Sequence, residues 1–353
     1  MPAAPAGHDG RDEDAMDDGP TTGAVRLQPL ARARVAALGE VGRAWHAGLP
    51  AVLDDLTRRW SVTLGRPLPG GSASYVVEAR TAGGDPAVLK VALADPGFAA
   101  EAELLRRADG RGYARLLKHD AGPQAVLLER LGPGLGVSGL GAEEQLDVLA
   151  RTLVTAWRPP DRLPLDKARS LAGKVEARRH LAGTSGQAAV DLALAYAAEL
   201  GRADPQDLVL VHGDPHPGNL LRVGSPRPGA ESGWCFVDPE PCVTDRAYDL
   251  GVAVRDFSAT LLAEPAAASA RLWSWCRRVA APSRADPARV WAWGFLERVS
   301  TGLYVHSFGA PRVGEPFLRS AALLARSPAT RGGPDLLGRP RVLPDVGTTR
   351  PGS

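Results

Sequence analysis

The segment from His212 to Asn219 concentrates side chains that can do chemistry, in the stretch LVLVHGDPHPGNLLRV. Two histidines, an aspartate and an asparagine fall within eight residues. An H-x-D-x-H arrangement could bind a transition metal through His212, Asp214 and His216. Alternatively, an aspartate followed five residues later by an asparagine is typical of a loop that orients an attacking hydroxyl and holds magnesium beside phosphate groups. A polar turn without chemistry is the third interpretation.

The phosphoryl-transfer interpretation explains the most residues. His212 to Asn219 has the spacing of the catalytic loop H-R-D-x-x-x-x-N, with Asp214 at the aspartate position. A second oxygen ligand for magnesium is needed on the next strand, and Asp238 in WCFVDPEP stands there. A zinc site would require further His or Cys ligands. The remaining histidines are at positions 8, 46, 119, 180 and 306, and none forms a second metal-ligand pair.

A strand lysine upstream adds to this interpretation. Lys90 ends the apolar stretch AVLK, and Glu101 follows eleven residues later in a helical pattern. A lysine held in this way by a helix glutamate places a cation on the α and β phosphates of a nucleotide. Glu103 would face another side of the helix, so we expect Glu101 to reach Lys90. A surface lysine at a strand end is the alternative. Only four of the 42 basic residues are lysines, so a lysine at this position favours a role that needs its compact charge, such as phosphate binding.

The glycine-rich turn between two strand candidates is a further candidate for nucleotide binding. Its sequence, GGSAS at residues 70–74, could bring backbone N–H groups and Ser72 over the phosphates. A plain hairpin turn is an equally good interpretation. The turn does not fit the P-loop pattern G-x-x-x-x-G-K-[ST].

The periodicity of the apolar residues predicts the elements that position these residues. A helical pattern at 34–60, interrupted at Gly48-Leu49-Pro50, precedes a mostly strand-like region. In that region we expect strands at 61–65, 74–80, 86–93, 114–120 and 124–131, with a helix at 98–109. After a glycine-rich break at 132–136, helices are expected at 142–157, 166–182, 187–201 and from 248 to about 325. Only 207–213 and 234–238 look like strands there, and they bracket the catalytic-loop candidate.

This pattern predicts an α+β fold with two lobes. Residues 25–132 would form a small β-rich N-lobe that binds nucleotide, and residues 133–327 a larger α-helical C-lobe with the catalytic loop. The acidic segment 1–24 and the Pro/Arg/Gly-rich segment 328–353 are expected to be disordered tails, because they contain too little apolar surface to offset ordering.

The composition narrows the possible partners. Hydrophobic residues make up 44% of the 353 residues and the formal net charge is +2, which gives no reason to expect nucleic acid or an anionic membrane. No apolar run is long enough for a transmembrane helix, and no signal peptide is recognisable. Three sparse cysteines, at positions 235, 242 and 276, indicate reduced thiols and a cytoplasmic protein.

The motifs VHGDPHPGNLL and FVDPEPCVTDRAYDLG resemble those of the aminoglycoside phosphotransferase family, small-molecule kinases with a protein-kinase-like fold. The stretches GRAWHAGLPAVLDDLTRRW, GRGYARLLKHD and DPEP resemble the streptomycin 6-phosphotransferase and hydroxyurea phosphotransferase branch. The likeness covers roughly residues 40–310. It implies ATP as phosphate donor, with GTP still open, Mg²⁺ as metal, and an alcohol group of a small molecule, expected to be an antibiotic, as acceptor.

The resemblance also implies roles for individual residues. Asp214 would be catalytic, with His212 shaping its loop. Asn219 and Asp238 would bind Mg²⁺, and Lys90, held by Glu101, would bind the α and β phosphates. The backbone from Glu129 to Leu131 would contact adenine.

The acceptor is less well defined. Streptomycin kinases carry an acidic stretch in a late helix, whereas this chain has FLERVSTGLYVHSFG with a single acid, Glu297. We predict acceptor contacts at His216, Glu240, Asp256 and Glu297, in a monomer or weak dimer. A kinase for a primary metabolite, such as a choline-like or sugar alcohol, and a non-catalytic nucleotide-binding regulator are the alternative functions.

Overall fold

The computed structural model describes residues 25–68, 74–201, 203–307 and 311–326, and both expected tails and Ser72 lie outside these ranges. The N-terminal elements are α1 (Pro29–Ala37), α2 (Gly39–Trp60), β1 (Thr63–Pro67), β2 (Ser74–Arg80), β3 (Pro86–Ala92), α3 (Phe98–Ala108), β4 (Leu116–Asp120) and β5 (Ala125–Glu129). The strands form one antiparallel sheet in the order β1-β2-β3-β5-β4. Short connections join β2 to β3 and β4 to β5, and each of these pairs is antiparallel, whereas α3 separates β3 from β4 and β3 pairs with β5 instead.

The C-terminal part is mainly helical. Its elements are α4 (Ala142–Ala156), α5 (Lys167–Ala177), α6 (Gly183–Leu200), β6 (Leu208–Leu210), β7 (Leu220–Arg222), β8 (Trp234–Phe236), β9 (Val243–Asp245), α7 (Ala247–Arg255), α8 (Ser258–Ala263), α9 (Ala268–Ala280), α10 (Pro287–Ser307) and α11 (Pro311–Arg326). Helix α10 is buried on all sides from Val290 to Ser300, including Trp291, Trp293 and Phe295, so this part forms the centre of the lobe. The two-lobed α+β architecture is therefore confirmed.

Two local predictions were wrong. The N-terminal helical region does not break at Gly48-Leu49-Pro50, because α2 continues through Pro50; the break lies at Gly39, whose φ is +58°. There, α1 folds back on α2 so closely that a Cβ on Gly42 would lie 2.2 Å from the Val35 carbonyl oxygen. The apolar spacing of Leu49, Leu53, Leu56 and Trp60 outweighs the helix-breaking effect of the proline.

The second wrong prediction concerns the strands around the catalytic-loop candidate. Only β6 and β8 were expected there, but two further short strands are present: β6 pairs with β9, and β8 pairs with β7. Each of these strands has three residues, too few for an alternating pattern to show in the sequence. The β7–β8 pair has Leu220 opposite Phe236, which brings the ends of both strands to the same edge of the site.

Candidate active site

The catalytic-loop candidate joins β6 to β7 and is held from helix α7. The carboxylate of Asp249, which is completely buried, accepts hydrogen bonds from the backbone N–H groups of His212 (2.8 Å) and Gly213 (2.9 Å). The indole of Trp157 donates a third hydrogen bond to it, of 2.8 Å. Burial raises the pKa of Asp249 to about 6, opposed by these three donors. Asp249 therefore braces the loop, and Asp245 is the residue that accepts from the first N–H of α7.

Gly213 is required by the shape of this loop. Its φ is +96°, and a Cβ at this position would lie 2.1 Å from the carbonyl oxygen of Glu240. The backbone is held in this close approach because the Glu240 N–H donates to the His212 carbonyl oxygen at 2.7 Å. Any other residue would push the catalytic loop and the segment after Asp238 apart.

His212 shapes the loop from within the core. Its ring is fully buried and stacks on Tyr113, with ring centres 5.8 Å apart. The Asp214 N–H lies 3.1 Å from Nδ1, and Nε2 lies 3.0 Å from the Val237 carbonyl oxygen. A neutral ring with the proton on Nε2 satisfies both contacts. Burial lowers the pKa of His212 to about 4, so the ring is neutral at pH 7 and supports the backbone of Asp214.

This neutral, buried histidine makes the stability of the protein depend on pH. The unfolded chain takes up a proton on His212 near pH 6.5, whereas the folded protein does so only near pH 4, so stability is lost as pH falls between these values. Between pH 7 and 4.5 we expect the wild type to lose about 2 to 3 kcal/mol more unfolding free energy than His212→Asn, measured by urea unfolding. The exposed His119 provides the control: His119→Asn should follow the wild type, and identical pH dependence in all three proteins would contradict the prediction.

Asp214 lies between an arginine and a histidine. Its Oδ1 accepts from the Nη2 of Arg255 at 3.1 Å, and its Oδ2 lies 3.6 Å from His216 Nε2. Burial would raise the pKa of Asp214, but the charge of Arg255 and the neighbouring His216 outweigh it and lower the pKa below its usual range. About a third of the side chain is exposed, so an ionised carboxylate faces the cleft.

Asn219 and Asp238 lie at neighbouring ends of the paired strands β7 and β8: Asn219 directly precedes β7, and Asp238 lies two residues after β8. The Asn219 carbonyl oxygen accepts from the Val237 N–H at 2.9 Å, so the residue next to Asp238 pairs with Asn219. The Asn219 amide N–H₂ donates to the Asp214 carbonyl oxygen at 3.0 Å, which leaves its side-chain oxygen to face the other way. One amide oxygen and one carboxylate are the hard oxygen donors that Mg²⁺ accepts when nucleotide phosphates supply further ligands.

Lys90 connects the sheet to this metal-binding candidate. Its Nζ lies 2.7 Å from Glu101 Oε1 and 2.6 Å from Asp238 Oδ1. Lys90 and Glu101 are 8% and 3% exposed, so the cation is buried between two carboxylates. Burial lowers the pKa of Lys90, but the charges of Asp238 and Glu101 outweigh it and raise the pKa above its ordinary value. Glu103 faces solvent and pairs with Arg106 instead, at 2.8 Å.

The segment between the lobes, Glu129 to Leu131, is fixed by contacts of its side chains with the rest of the protein. Glu129 ends β5 and forms an ion pair with Arg227 from the β7–β8 loop, and it also accepts from the Arg115 N–H at 2.8 Å. The side chain of Leu131 is buried in a small apolar cluster. The Leu131 N–H donates to no other described residue. The Leu131 N–H is thus available, and the contact of this backbone with adenine stays a prediction.

The four predicted acceptor contacts differ in availability. Glu240 is exposed and His216 partly exposed. Asp256 accepts from Arg255 Nε at 2.8 Å, and its other oxygen lies 3.8 Å from His216. Glu297 is buried between Tyr248, at 2.7 Å, and Arg255, at 3.4 Å, so its carboxylate is already satisfied within the protein.

Arg255 is the site residue that the sequence did not reveal. It ends α7 and contacts Asp214, Asp256 and Glu297 at once. The adjacent Arg255–Asp256 pair on the helix that carries Asp249 was the available signal, but arginine is too frequent in this chain for that pair to be noticed.

Comparison with known proteins agrees with this geometry. Residues 59–309 match the model of the aminoglycoside/hydroxyurea antibiotic resistance kinase family. The chain belongs to this family. It is 32% identical over 232 residues to a streptomycin 6-kinase of Streptomyces glaucescens, covering 64% of this chain and 73% of that protein. It is 34% identical over 220 residues to a hydroxyurea phosphotransferase of Kitasatospora aureofaciens, covering 60% of this chain and 62% of that protein.

Solved structures show the fold of this antibiotic resistance kinase more broadly. A choline kinase from Cryptosporidium parvum matches with a TM-score of 0.56 at 10% identity, over 80% of this chain and 97% of that one. An amicoumacin kinase in complex with AMP-PNP and Ca²⁺ matches with a TM-score of 0.52 at 13% identity, over 78% and 92% of the chains. The protein-kinase-like fold is thereby confirmed, as is a phosphotransferase that acts on hydroxyl groups of small molecules.

Membership of this family implies a nucleoside triphosphate and a divalent metal. Within the described ranges, no group of three or more His, Cys, Asp or Glu side chains is arranged to hold a metal ion. Asn219 and Asp238 fit a metal that arrives with phosphate oxygens of its own. No helix of the described chain is long and apolar enough to cross a membrane.

Proposed function

We propose that this kinase transfers the γ-phosphate of ATP to a hydroxyl group of a small antibiotic-like molecule, with Asp214 as the catalytic residue. The contact of Lys90 with both Glu101 and Asp238 supports this proposal, because the lysine expected to bind phosphate lies next to the aspartate expected to bind the metal. GTP as donor and Ca²⁺ as metal are alternatives that a direct assay separates. We also propose that the protein is a monomer or weak dimer and acts in the cytoplasm, where ATP is available.

The proposed reaction depends mainly on positioning and charge. The carboxylate of Asp214 accepts a hydrogen bond from the acceptor hydroxyl and so orients it, while Lys90 binds the α and β phosphates. Asn219 and Asp238 would hold Mg²⁺ together with the nucleotide, and the metal would neutralise charge on the phosphates. We further propose that the backbone from Glu129 to Leu131 contacts the base and that Ser72, which lies outside the described residues, binds phosphate.

The charges around the acceptor site favour an acceptor with little positive charge. A polycationic substrate is normally bound by carboxylates that have no other partner. Here Arg255 is already paired with Asp214, Asp256 and Glu297, and Glu297 is buried as well. Only Glu240 is exposed among the predicted acidic contacts. A hydroxyurea-like acceptor therefore fits this site better than streptomycin.

A panel of acceptors tests the proposal. Purified protein is incubated with Mg²⁺ and ATP or GTP and with hydroxyurea, streptomycin or choline, and the products are identified by mass. We expect a phosphorylated product that forms at least about tenfold faster with hydroxyurea than with streptomycin. This difference in rate corresponds to about 1.4 kcal/mol in activation free energy. Faster transfer to streptomycin would contradict the argument from charge, and transfer to choline alone would favour a primary-metabolite kinase. Binding of MgATP without transfer to any acceptor would favour a non-catalytic regulator.

A further inference from the structure

Arg255 is the most highly connected charged side chain at the acceptor side of the site. Only 9% of its side chain is exposed, and its guanidinium contacts three carboxylates and one hydroxyl. Nη2 donates to Asp214 Oδ1 at 3.1 Å and Nε to Asp256 Oδ1 at 2.8 Å. Nη1 lies 3.4 Å from Glu297 Oε2 and 3.2 Å from Thr301 Oγ1. Because all three nitrogens are engaged in different directions, the plane of the guanidinium is fixed.

The helix end that carries Arg255 is itself held in place. Arg298, fully buried on α10, donates from Nη2 to the carbonyl oxygens of Val254 (3.1 Å) and Arg255 (3.2 Å). Its Nε donates to Ser258 Oγ at 3.2 Å. A cation at the C-terminal carbonyls of a helix is a favourable arrangement. The position of Arg255 is therefore set by the core of the C-lobe.

Helix α7 thus holds the catalytic loop at two points. Near its beginning, Asp249 binds the backbone of His212 and Gly213. At its end, Arg255 binds the side chain of Asp214 through Oδ1. The other oxygen, Oδ2, lies on the side of the partly exposed His216, 3.6 Å from its Nε2.

We propose that Arg255 is a positioning residue for phosphoryl transfer: it holds Asp214 by Oδ1 so that Oδ2 points to the acceptor hydroxyl. This inference rests on the proposed function. A displacement of about 1 Å in such a group lowers turnover about 10²-fold, whereas nucleotide binding, which depends on Lys90, Asn219 and Asp238, does not involve Arg255. Arg255 acts through Asp214, so its effect must disappear when Asp214 no longer performs its role.

The test compares Arg255→Gln, Arg255→Lys, Asp214→Asn and the double variant Asp214→Asn/Arg255→Gln. Arg278→Gln is the matched control, since Arg278 pairs with Glu143 and Asp147 at the surface of α9. Turnover is measured both as phosphate release from MgATP, with water as acceptor, and as product formation with hydroxyurea. Nucleotide affinity is measured by calorimetry with AMP-PNP, and folding by thermal unfolding.

We expect Arg255→Gln to lower kcat about 10²-fold in both assays, with the AMP-PNP Kd within about threefold of wild type. Arg255→Lys, whose ammonium reaches fewer carboxylates at once, should lose about tenfold. Arg278→Gln should match the wild type. The double variant should be as slow as Asp214→Asn alone.

Several outcomes would overturn the inference. They are wild-type turnover in Arg255→Gln, a parallel loss of AMP-PNP affinity, or a double variant about 10²-fold slower than Asp214→Asn. If Arg255→Gln does not fold, Arg255→Lys takes its place as the test variant. Wild-type turnover in the folded Arg255→Lys protein would then overturn the inference. A wild type that hydrolyses MgATP but phosphorylates none of the acceptors contradicts the proposed function, while the comparison with water as acceptor still tests Arg255.

Discussion

Asp214→Asn is expected to lower kcat for phosphoryl transfer about 10³-fold while the AMP-PNP affinity and thermal stability stay close to wild type. The substitution keeps the size of the side chain but removes the negative charge that accepts the acceptor's hydrogen bond. Arg255 and His216 surround this carboxylate, so an amide in its place also disturbs the contact at 3.1 Å. Transfer is measured by the mass of the phosphorylated product in single-turnover experiments.

A matched substitution makes this result specific. Asp54 is an exposed aspartate on α2, far from the catalytic loop in sequence, and Asp54→Asn should transfer phosphate like the wild type. If Asp214→Asn kept more than about a tenth of the wild-type kcat, Asp214 would not be the catalytic residue. If it lost nucleotide binding as well, the loop would have a structural role that the proposed mechanism does not include.

Lys90→Met is expected to reduce both activity and stability. It removes the cation proposed to bind the α and β phosphates, so kcat/KM for ATP should fall at least about 10²-fold. It also leaves Glu101, which is 3% exposed, without its ion pair at 2.7 Å. Breaking a buried pair from one side costs about 3 to 5 kcal/mol, which urea unfolding at pH 7 measures.

Two further variants separate the two effects of Lys90. In Lys90→Met/Glu101→Gln the buried charge is absent, so part of the lost stability should return while activity does not. Lys118→Met on the exposed side of β4 is the control and should keep full activity. An active Lys90→Met variant would remove the observation on which the proposed function depends.

Pairs of site residues that are close together in the sequence were predictable. The spacing of Asp214 and Asn219 follows from one loop between two strands, and Glu101 reaches Lys90 because β3 and α3 are consecutive elements. The β-rich N-lobe was visible because its strands have five to seven residues, enough to show an apolar pattern.

Contacts at the site between residues that are far apart in the sequence were not predictable. Arg255 reaches Asp214 across 41 residues, and Arg227 reaches Glu129 across 98. No local pattern encodes such pairs, and both are arginines in a chain with 38 of them. Glu297, in contrast, was suggested as an acceptor contact by its position in the sequence, but the packing of α10 against α7 buries its side chain.

The bond between Lys90 and Asp238, which spans 148 residues, also has a consequence for how the chain folds. All strands of the N-lobe sheet lie between Thr63 and Glu129, so the sheet can form early, whereas this bond must wait until most of the C-lobe has been organised. Until then Lys90 has Glu101 as its nearest carboxylate, and the catalytic machinery is incomplete. Regained phosphoryl transfer should accordingly be the last signal to recover during refolding, after the far-UV signal of the strands and helices.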